Sequence, residues 1–426
     1  MKKRVVFLIV LSSLFIANTG HATNGYFAHG FGAGDKAMAG AGVALETGAM
    51  GGALNPAALV NTGDDREGGL ALFVPERGFR ANDDADPFTP QIAAGDYVSD
   101  NDVFLIPHYG RNRELDEQSS WAMILSANGL NSEYDAAVFQ GFVPPGAPDM
   151  FNATSPTGVD LYQLLLDVPY SRRLSQRSSV GIGPTFAFQM LRVQGLEPFR
   201  ALSSSPDHVS GNGFDYSYGA GLMAGWQYQV SDAVSFGLSA RSRTWMTPFD
   251  EYRGLFAEQG DFDIPASFQA GLGVKLSDAV TVAIDYQEIF YSDVKAVGNR
   301  NDMPIAPGSL GTDEGIGGGW QDAEIVKLGI EWKYSDDMVF RAGYSRSNQI
   351  IPDTQALLNI LAPAVGREHY TIGFTRRYEN DRELIVTLMH VPRETVTGSN
   401  PNTVGQTGDL EMRQTELMVS FGKRFE

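Results

Sequence analysis

The chain has 426 residues, 51 acidic against 32 basic side chains, a formal net charge of −19 and no cysteine. Disulfides, thiolate metal sites and cysteine nucleophiles are excluded together, and so acidic a chain lacks the basic face that nucleic acid demands. Mean hydropathy is −0.17, and no run beyond residue 22 approaches the ~20 apolar residues of a membrane-spanning helix; a transmembrane β-barrel escapes that test, because only alternate residues of each strand face lipid.

In chain order, Lys2, Lys3 and Arg4 precede a mostly apolar run, Val5 to Ile16, and a short polar stretch, Asn18 to Ala22. This layout predicts a cleavable signal peptide over residues 1–22, with Ala22 before the cut at Thr23. A buried N-terminal helix fits these flanks less well. Residues 23–62 follow and are dominated by glycine and alanine. They cannot bury a core of their own and must pack against walls supplied by the rest of the chain. The segment closes on Asn55-Pro56-Ala57, where proline fixes φ, removes a donor and biases Asn55 away from helix, a stiff corner.

From Gly69 onward the pattern has period two. Val234, Phe236, Leu238 and Ala240 alternate with Ser235, Gly237, Ser239 and Arg241, and Val280, Val282, Ile284 and Tyr286 with Thr281, Ala283, Asp285 and Gln287. Phe214 to Tyr228 repeats the pattern over a longer stretch. One face is greasy and the other wet. A soluble sandwich alternates too, but rarely clusters tyrosine and tryptophan near strand ends, so the expected fold is an all-β transmembrane antiparallel barrel over residues 63–426. Short polar links at 111–119, 175–179, 231–232, 277–278, 335–337 and 379–382 alternate with long linkers at 81–101, 131–160, 194–213, 250–262, 293–320, 351–366 and 394–408. That spacing gives about 14 strands, an even number, closed by Leu417 to Phe425.

The small-residue segment ending in Asn55-Pro56-Ala57, together with Gly129-Leu130-Asn131-Ser132-Glu133-Tyr134, resembles the FadL/TodX-type transporters of bacterial outer membranes (OMPP1/FadL/TodX). Ser132 stands where that family's motif usually has threonine. The motif likeness covers residues 23–60 and 121–134; beyond them only the strand pattern agrees. The resemblance implies passive uptake of long-chain fatty acids or hydrocarbons across the outer membrane, without enzymatic chemistry or cofactor. It makes residues 23–62 a hatch inside the barrel and sets the Asn55-Pro56-Ala57 corner against a kinked third strand. Asn128 and Gly129 thereby join Asn55, Pro56 and Ala57 as a gate beside a lateral opening. A monomer in contact with outer-membrane lipid and lipopolysaccharide is the implied state.

Candidate ligand contacts lie in the hatch, the loops and the wet face. Tyr26, Phe27 and Phe31 are hatch aromatics, and Phe249, Tyr252 and Phe256 lie along one side of a possible short helix. Leu357, Leu358, Ile360 and Leu361, and Phe139, Phe142, Met150 and Phe151, add further apolar loop residues. Exposed patches of this kind capture hydrophobes, unless the loops pack on one another or on lipopolysaccharide. By parity Arg241, Arg243, Lys327 and Arg341 share the wet face and are candidates for a ligand carboxylate, with wall carboxylates such as Asp285 or Glu331 as competing partners. A porin for polar solutes is opposed by the length of the hatch and by the apolar loops. A lipid hydrolase would need serine and histidine brought together, and His29, His108, His208, His369 and His390 lie in no recognisable catalytic motif. Gly30 to Lys36 lacks the Lys-Ser/Thr pair of a phosphate loop, and the acidic stretch at 83–102 lacks calcium-loop spacing, so no metal is expected.

Overall fold

A computed structural model describes residues 23–84, 88–143, 146–153 and 156–425; the expected signal peptide lies outside them. Fourteen antiparallel staves close into a barrel. They are β1 (Asp64–Ala81), β2 (Phe104–Asp116), β3 (Ser119–Tyr134), β4 (Thr157–Asp167 and Tyr170–Ser175), β5 (Ser178–Gln194), β6 (Asp215–Ser231) and β7 (Val234–Arg241 and Trp245–Met246). The second half comprises β8 (Ser267–Lys275), β9 (Val280–Ile289), β10 (Ala323–Ser335), β11 (Met338–Ser347), β12 (Glu368–Tyr378), β13 (Arg382–Ser399) and β14 (Thr407–Phe425). A short strand, Gly95–Val98, pairs beside the upper end of β1. Closure runs from Phe425 opposite Asp64 to Gly408 opposite Ala81, so that β14 and β1 leave no free edge between them.

Alternation decides which side chains face out. On β6 Tyr216, Tyr218, Leu222, Trp226 and Tyr228 are exposed while Ser217 and Gln227 are buried; on β9 Ile284 and Tyr286 are exposed while Ala283 and Asp285 are buried. The strands outrun the apolar pattern. β13 and β14 continue to Ser399 and begin at Thr407, so the linker expected at 394–408 shrinks to 400–406. Its flanks pair through polar contacts, Thr397 Oγ1 donating to Asp409 at 2.6 Å, and carry no hydropathy signal. The linker expected from 131 likewise begins only after Tyr134.

Residues 24–63 fill the barrel. They contain one short helical turn, Ala33–Lys36, and two 3-10 turns, Ala49–Ala53 and Pro56–Asn61. So irregular a segment leaves many backbone groups without local partners, and buried groups of that kind must be satisfied from elsewhere. The wet face supplies them. Asp285 Oδ2 accepts from the Gly42 and Val43 N–H groups at 2.7 and 2.9 Å, Asp65 from Ala49 N–H at 2.7 Å, and Glu67 from Ala33 N–H at 3.2 Å. Lys327 Nζ donates to the His29 and Gly40 carbonyls at 3.1 and 3.3 Å, and Gln227, Thr371 and Thr387 serve Ala44, Ala37 and Ala33. A buried ion pair, Lys36 to Glu416 at 2.8 Å, ties the helical turn to β14. The wet face solvates the plug instead of lining an open pore.

Candidate functional site

Asn55 caps the turn that follows it: its Oδ1 accepts from Ala57 N–H at 3.0 Å, and its Nδ2 donates to the Val43 and Trp226 carbonyls at 2.7 and 3.3 Å. Pro56 beds on Gly181 of β5 and Gly225 of β6, which are cross-strand partners; a Cβ at Gly181 would overlap the Pro56 backbone, and one at Gly225 would overlap Asn55 Oδ1. Ser179 Oγ donates to Ala57 O at 2.8 Å. Asn128 meets a different part of the hatch, accepting from Ala28 N–H at 3.2 Å. Of the residues expected to form one gate, Asn55, Pro56 and Ala57 bond and pack at β5 and β6, while Asn128 is met by Ala28. The Phe27–Ala28 segment reaches β3 first, and the chain carries the corner onward to the glycine seat on β5 and β6.

The wall beside Asn128 is unzipped. The β2–β3 ladder runs from Asp116 opposite Ser119 to Tyr109 opposite Leu125 and stops. Beyond it, among the described residues, Phe104–His108 pair with β1 while Ser126–Tyr134 pair with β4, and no ladder joins the two edges. Pro107 on one edge has no N–H to offer. The alternation of β3 also breaks at Asn128 and Gly129, which are both buried. Above the gap the Asp100 N–H donates to Glu133 O at 2.9 Å, and Arg77 reaches from β1 to the Asn131 and Asn101 carbonyls. A small pocket bordered by Ala28, Phe31, Pro107, Ser126 and Ala127 lies behind it.

Above the hatch lies a cavity of about 100 Å³. Tyr26 forms part of its floor, Leu130, Val159, Leu161, Leu191 and Val193 come from β3, β4 and β5, and the loops add Leu196, Leu255, Phe256, Phe262, Ile316, Trp320 and Leu361. Tyr26 packs against Tyr291, Trp320 and Phe262 with ring centroids 5.3, 5.9 and 6.2 Å apart. Its own hydroxyl has no hydrogen-bond partner among the described residues. Asn359 is the lining amide, and it is internally committed: Oδ1 accepts from Trp320 Nε1 at 2.6 Å, and Nδ2 donates to the Gly318 and Gln355 carbonyls. Among the described residues no charged side chain lines the space.

The candidate contacts separate accordingly. Tyr26 and Phe256 line the cavity, and Phe27 supports it edge-on to Tyr291 at 5.8 Å. Phe31 lies lower, under the Arg241 guanidinium. Phe249 and Tyr252 are fully buried instead of exposed for capture; Tyr252 Oη accepts from Val193 N–H at 3.0 Å and donates to Gly213 O. Phe139 is buried against Phe199 and Phe142, and Ile360 is buried as well. The loops pack on one another because each carries apolar residues that only the others can cover. The arginines are engaged by the protein. Arg241 forks onto Asp167 at 3.0 and 2.7 Å, Arg341 donates to Glu331 at 2.9 Å and Thr375 at 2.7 Å, and Arg243 lies 3.6 Å from Asp263 while donating to Asp293 O. Reading from sequence missed Phe262, Trp320 and Ile316. Their one signal was a large apolar residue isolated in a polar or glycine-rich loop.

Beside Phe262, Asp261 is pushed up to about 7, first by burial and then by the charge and hydrogen bond of Asp263. Among the described residues the interior forms no hydrolytic triad. Ser420 Oγ lies 2.7 Å from His108 Nε2, but Glu67 faces that same nitrogen at 3.7 Å and His108 Nδ1 has no hydrogen bond, so the imidazole lacks the orienting carboxylate of a triad.

A family model described as outer membrane protein transport protein (OMPP1/FadL/TodX) matches residues 10–425. Among solved structures, the toluene transporter TodX of Pseudomonas putida is similar at TM-score 0.69 and 18% identity, over 93% of this chain and 99% of that one. The toluene transporter TbuX of Ralstonia pickettii gives 0.61 and 18%, over 93% and 99%. A FadL homologue of Pseudomonas aeruginosa gives 0.65 and 14%, over 94% and 100%. Identities this low establish a shared fold. No curated protein matches the chain in sequence.

Proposed function

The chain belongs to the OMPP1/FadL/TodX family of outer-membrane transport proteins, and from that premise we propose that it passes small neutral hydrophobes inward, holding them in the cavity above the hatch and releasing them sideways between β2 and β3. The carrying observation is the cavity lining, apolar but for the Asn359 amide and the Tyr26 hydroxyl and, among the described residues, without a cation for a carboxylate. Burial in such a space is favourable by about 25 cal/mol per Å² of apolar ligand surface. A carboxylate there would remain unpaired, at a cost that favours hydrocarbons, the toluene class of the similar transporters, over ionised fatty acids. Lateral release is supported by the missing ladder between Phe104–His108 and Ser126–Tyr134, which lets a hydrophobe enter the bilayer without crossing the polar plug.

Uptake of labelled toluene, oleate and a small sugar into proteoliposomes tests this reading. Toluene should enter faster than into protein-free vesicles, and oleate and sugar should not. Leu161→Lys, which puts a charge into the cavity, should abolish the toluene signal while the barrel still shows its gel shift on heating. Sugar entry without toluene entry would overturn the proposal in favour of a polar pore.

A further inference from the structure

Directly beneath the cavity the inward-facing residues change from apolar to amide. Leu130, Leu161 and Leu191, which line the cavity from β3, β4 and β5, are cross-strand neighbours in one row. Two residues nearer the short-turn end, the next row is Asn128, Gln163 and Gln189, again cross-strand neighbours and each at most 3% exposed. Side chains placed in this way stand about 4.5–5.5 Å apart at Cβ. Asn128 Oδ1 is taken by Ala28 N–H, and Gln189 Nε2 donates to Phe262 O at 3.0 Å. Among the described residues, Gln163 Nε2 and Oε1 and Gln189 Oε1 have no hydrogen-bond partner. The hatch brings one more such group to the same floor. Tyr26, whose ring lies 6.2 Å from that of the same Phe262, is 1% exposed and its hydroxyl is likewise unpartnered.

A buried donor or acceptor left unmade costs more than an average hydrogen bond gains, and each such group in a folded protein calls for a reason. These groups converge where the cavity meets the unzipped wall, because Asn128 stands on the stretch of β3 that the β2 ladder has left. They offer donors, Tyr26 O–H and Gln163 Nε2, and acceptors, Gln163 Oε1 and Gln189 Oε1, but no charge. A carboxylate could use only the donors, and a hydrocarbon uses neither. A hydroxyl donates and accepts at once. We infer that this row is a recognition subsite for a neutral hydroxyl, and that the cargo it selects is a small aromatic molecule carrying one hydroxyl group, of which phenol is the simplest. The ring lies among the leucines, while the hydroxyl accepts from Tyr26 or Gln163 and donates to a glutamine carbonyl. Toluene has the same shape with a methyl group in that place, so it fills the cavity and leaves the row unpaired. The inference rests on the cavity being the holding site proposed above and names the class of molecule held there.

Equilibrium dialysis of labelled phenol and labelled toluene against detergent-solubilised protein, with protein-free micelles as the blank, tests this assignment. The quantity to compare is the phenol-to-toluene affinity ratio, because a change of cavity shape acts on both compounds alike. Tyr26→Phe and Gln163→Leu should each lower that ratio by roughly three- to tenfold, the worth of one hydrogen bond. Gln163→Leu should not lower the stability of the unliganded protein, since the amide it removes bonds to nothing among the described residues. Ser345→Ala removes another buried, unpartnered hydroxyl, on β11 and outside the cavity lining, and should leave the ratio where it was. If Gln163→Leu does not fold, Tyr26→Phe carries the test alone. Toluene retention with an unchanged ratio in either folded variant, or with the same fall in Ser345→Ala, overturns the subsite and leaves the holding cavity standing. Retention of neither compound above the blank overturns both.

Discussion

At Gly225 one hydrogen in place of a methyl allows the hatch corner to sit. Gly225→Ala would drive a Cβ into Asn55 Oδ1, the atom that caps Pro56–Asn61. Overpacking of that kind costs about 1–3 kcal/mol, and the expected outcome is a lower temperature for loss of the folded gel band. Gly422→Ala is the matched control, because its nearest neighbour lies at an ordinary contact distance of 3.5 Å. Lys36 illustrates the electrostatic counterpart. Lys36→Met would leave Glu416 buried with no cation, and breaking a buried pair by removing one partner costs about 3–5 kcal/mol. Adding Glu416→Gln to that variant should recover part of the loss in equilibrium unfolding; a double variant as unstable as the single one would show that packing, and not charge, is what Lys36 contributes.

The loop from 247 to 266 shows at the scale of an element why some of the site was legible and some was not. Strands advertise themselves through period two because lipid sits on one face, and that signal carried the barrel from Gly69 to Phe425. A loop has no such external ruler. Phe249, Tyr252 and Phe256 were recognisable as apolar loop residues, but which of them would be buried against other loops and which would line the cavity depends on contacts from β5, from 290–322 and from 348–367, none adjacent in sequence. The arginines were placed by parity on the wet face, whereas their partners Asp167 and Asp263 come from β4 and a loop. This same loop carries Asp261, whose carboxyl has an ordinary value of 3.8 and is pushed up to about 7 by burial, by Asp263 and by Glu258, with Arg243 opposing. Because the packed loop holds the proton more tightly than the unpacked one, its advantage is complete below about pH 4 and is lost as pH rises through 7. Binding of toluene by detergent-solubilised protein should accordingly weaken between pH 4 and 7 and level off above it. Asp261→Asn should flatten that profile, and an unchanged slope in the variant would remove Asp261 as its source.

For the molecule as a whole, the plug consumes the polar interior, the cavity sits above it, and the unpaired wall between β2 and β3 sits beside it. On the proposed lateral route the hatch therefore stays in the barrel. The motion that route calls for is withdrawal of Phe27–Ala28 from β3, where Ala28 N–H donates to Asn128 at 3.2 Å, while the Asn55-Pro56-Ala57 corner stays on its glycine seat. The chain has no cysteine, so introduced pairs form one intended link each, provided their Cα atoms lie within ~4.4–6.8 Å. Ala28→Cys with Asn128→Cys should suppress toluene uptake on oxidation and restore it on reduction. Ala57→Cys with Ser179→Cys locks the corner to β5, next to the contact that Ser179 already makes with Ala57, and should leave uptake intact in both redox states. The two locks test these two hatch–wall contacts separately. If the corner lock stops transport and the Ala28–Asn128 lock does not, the moving part is the corner, and the route past Asn128 fails.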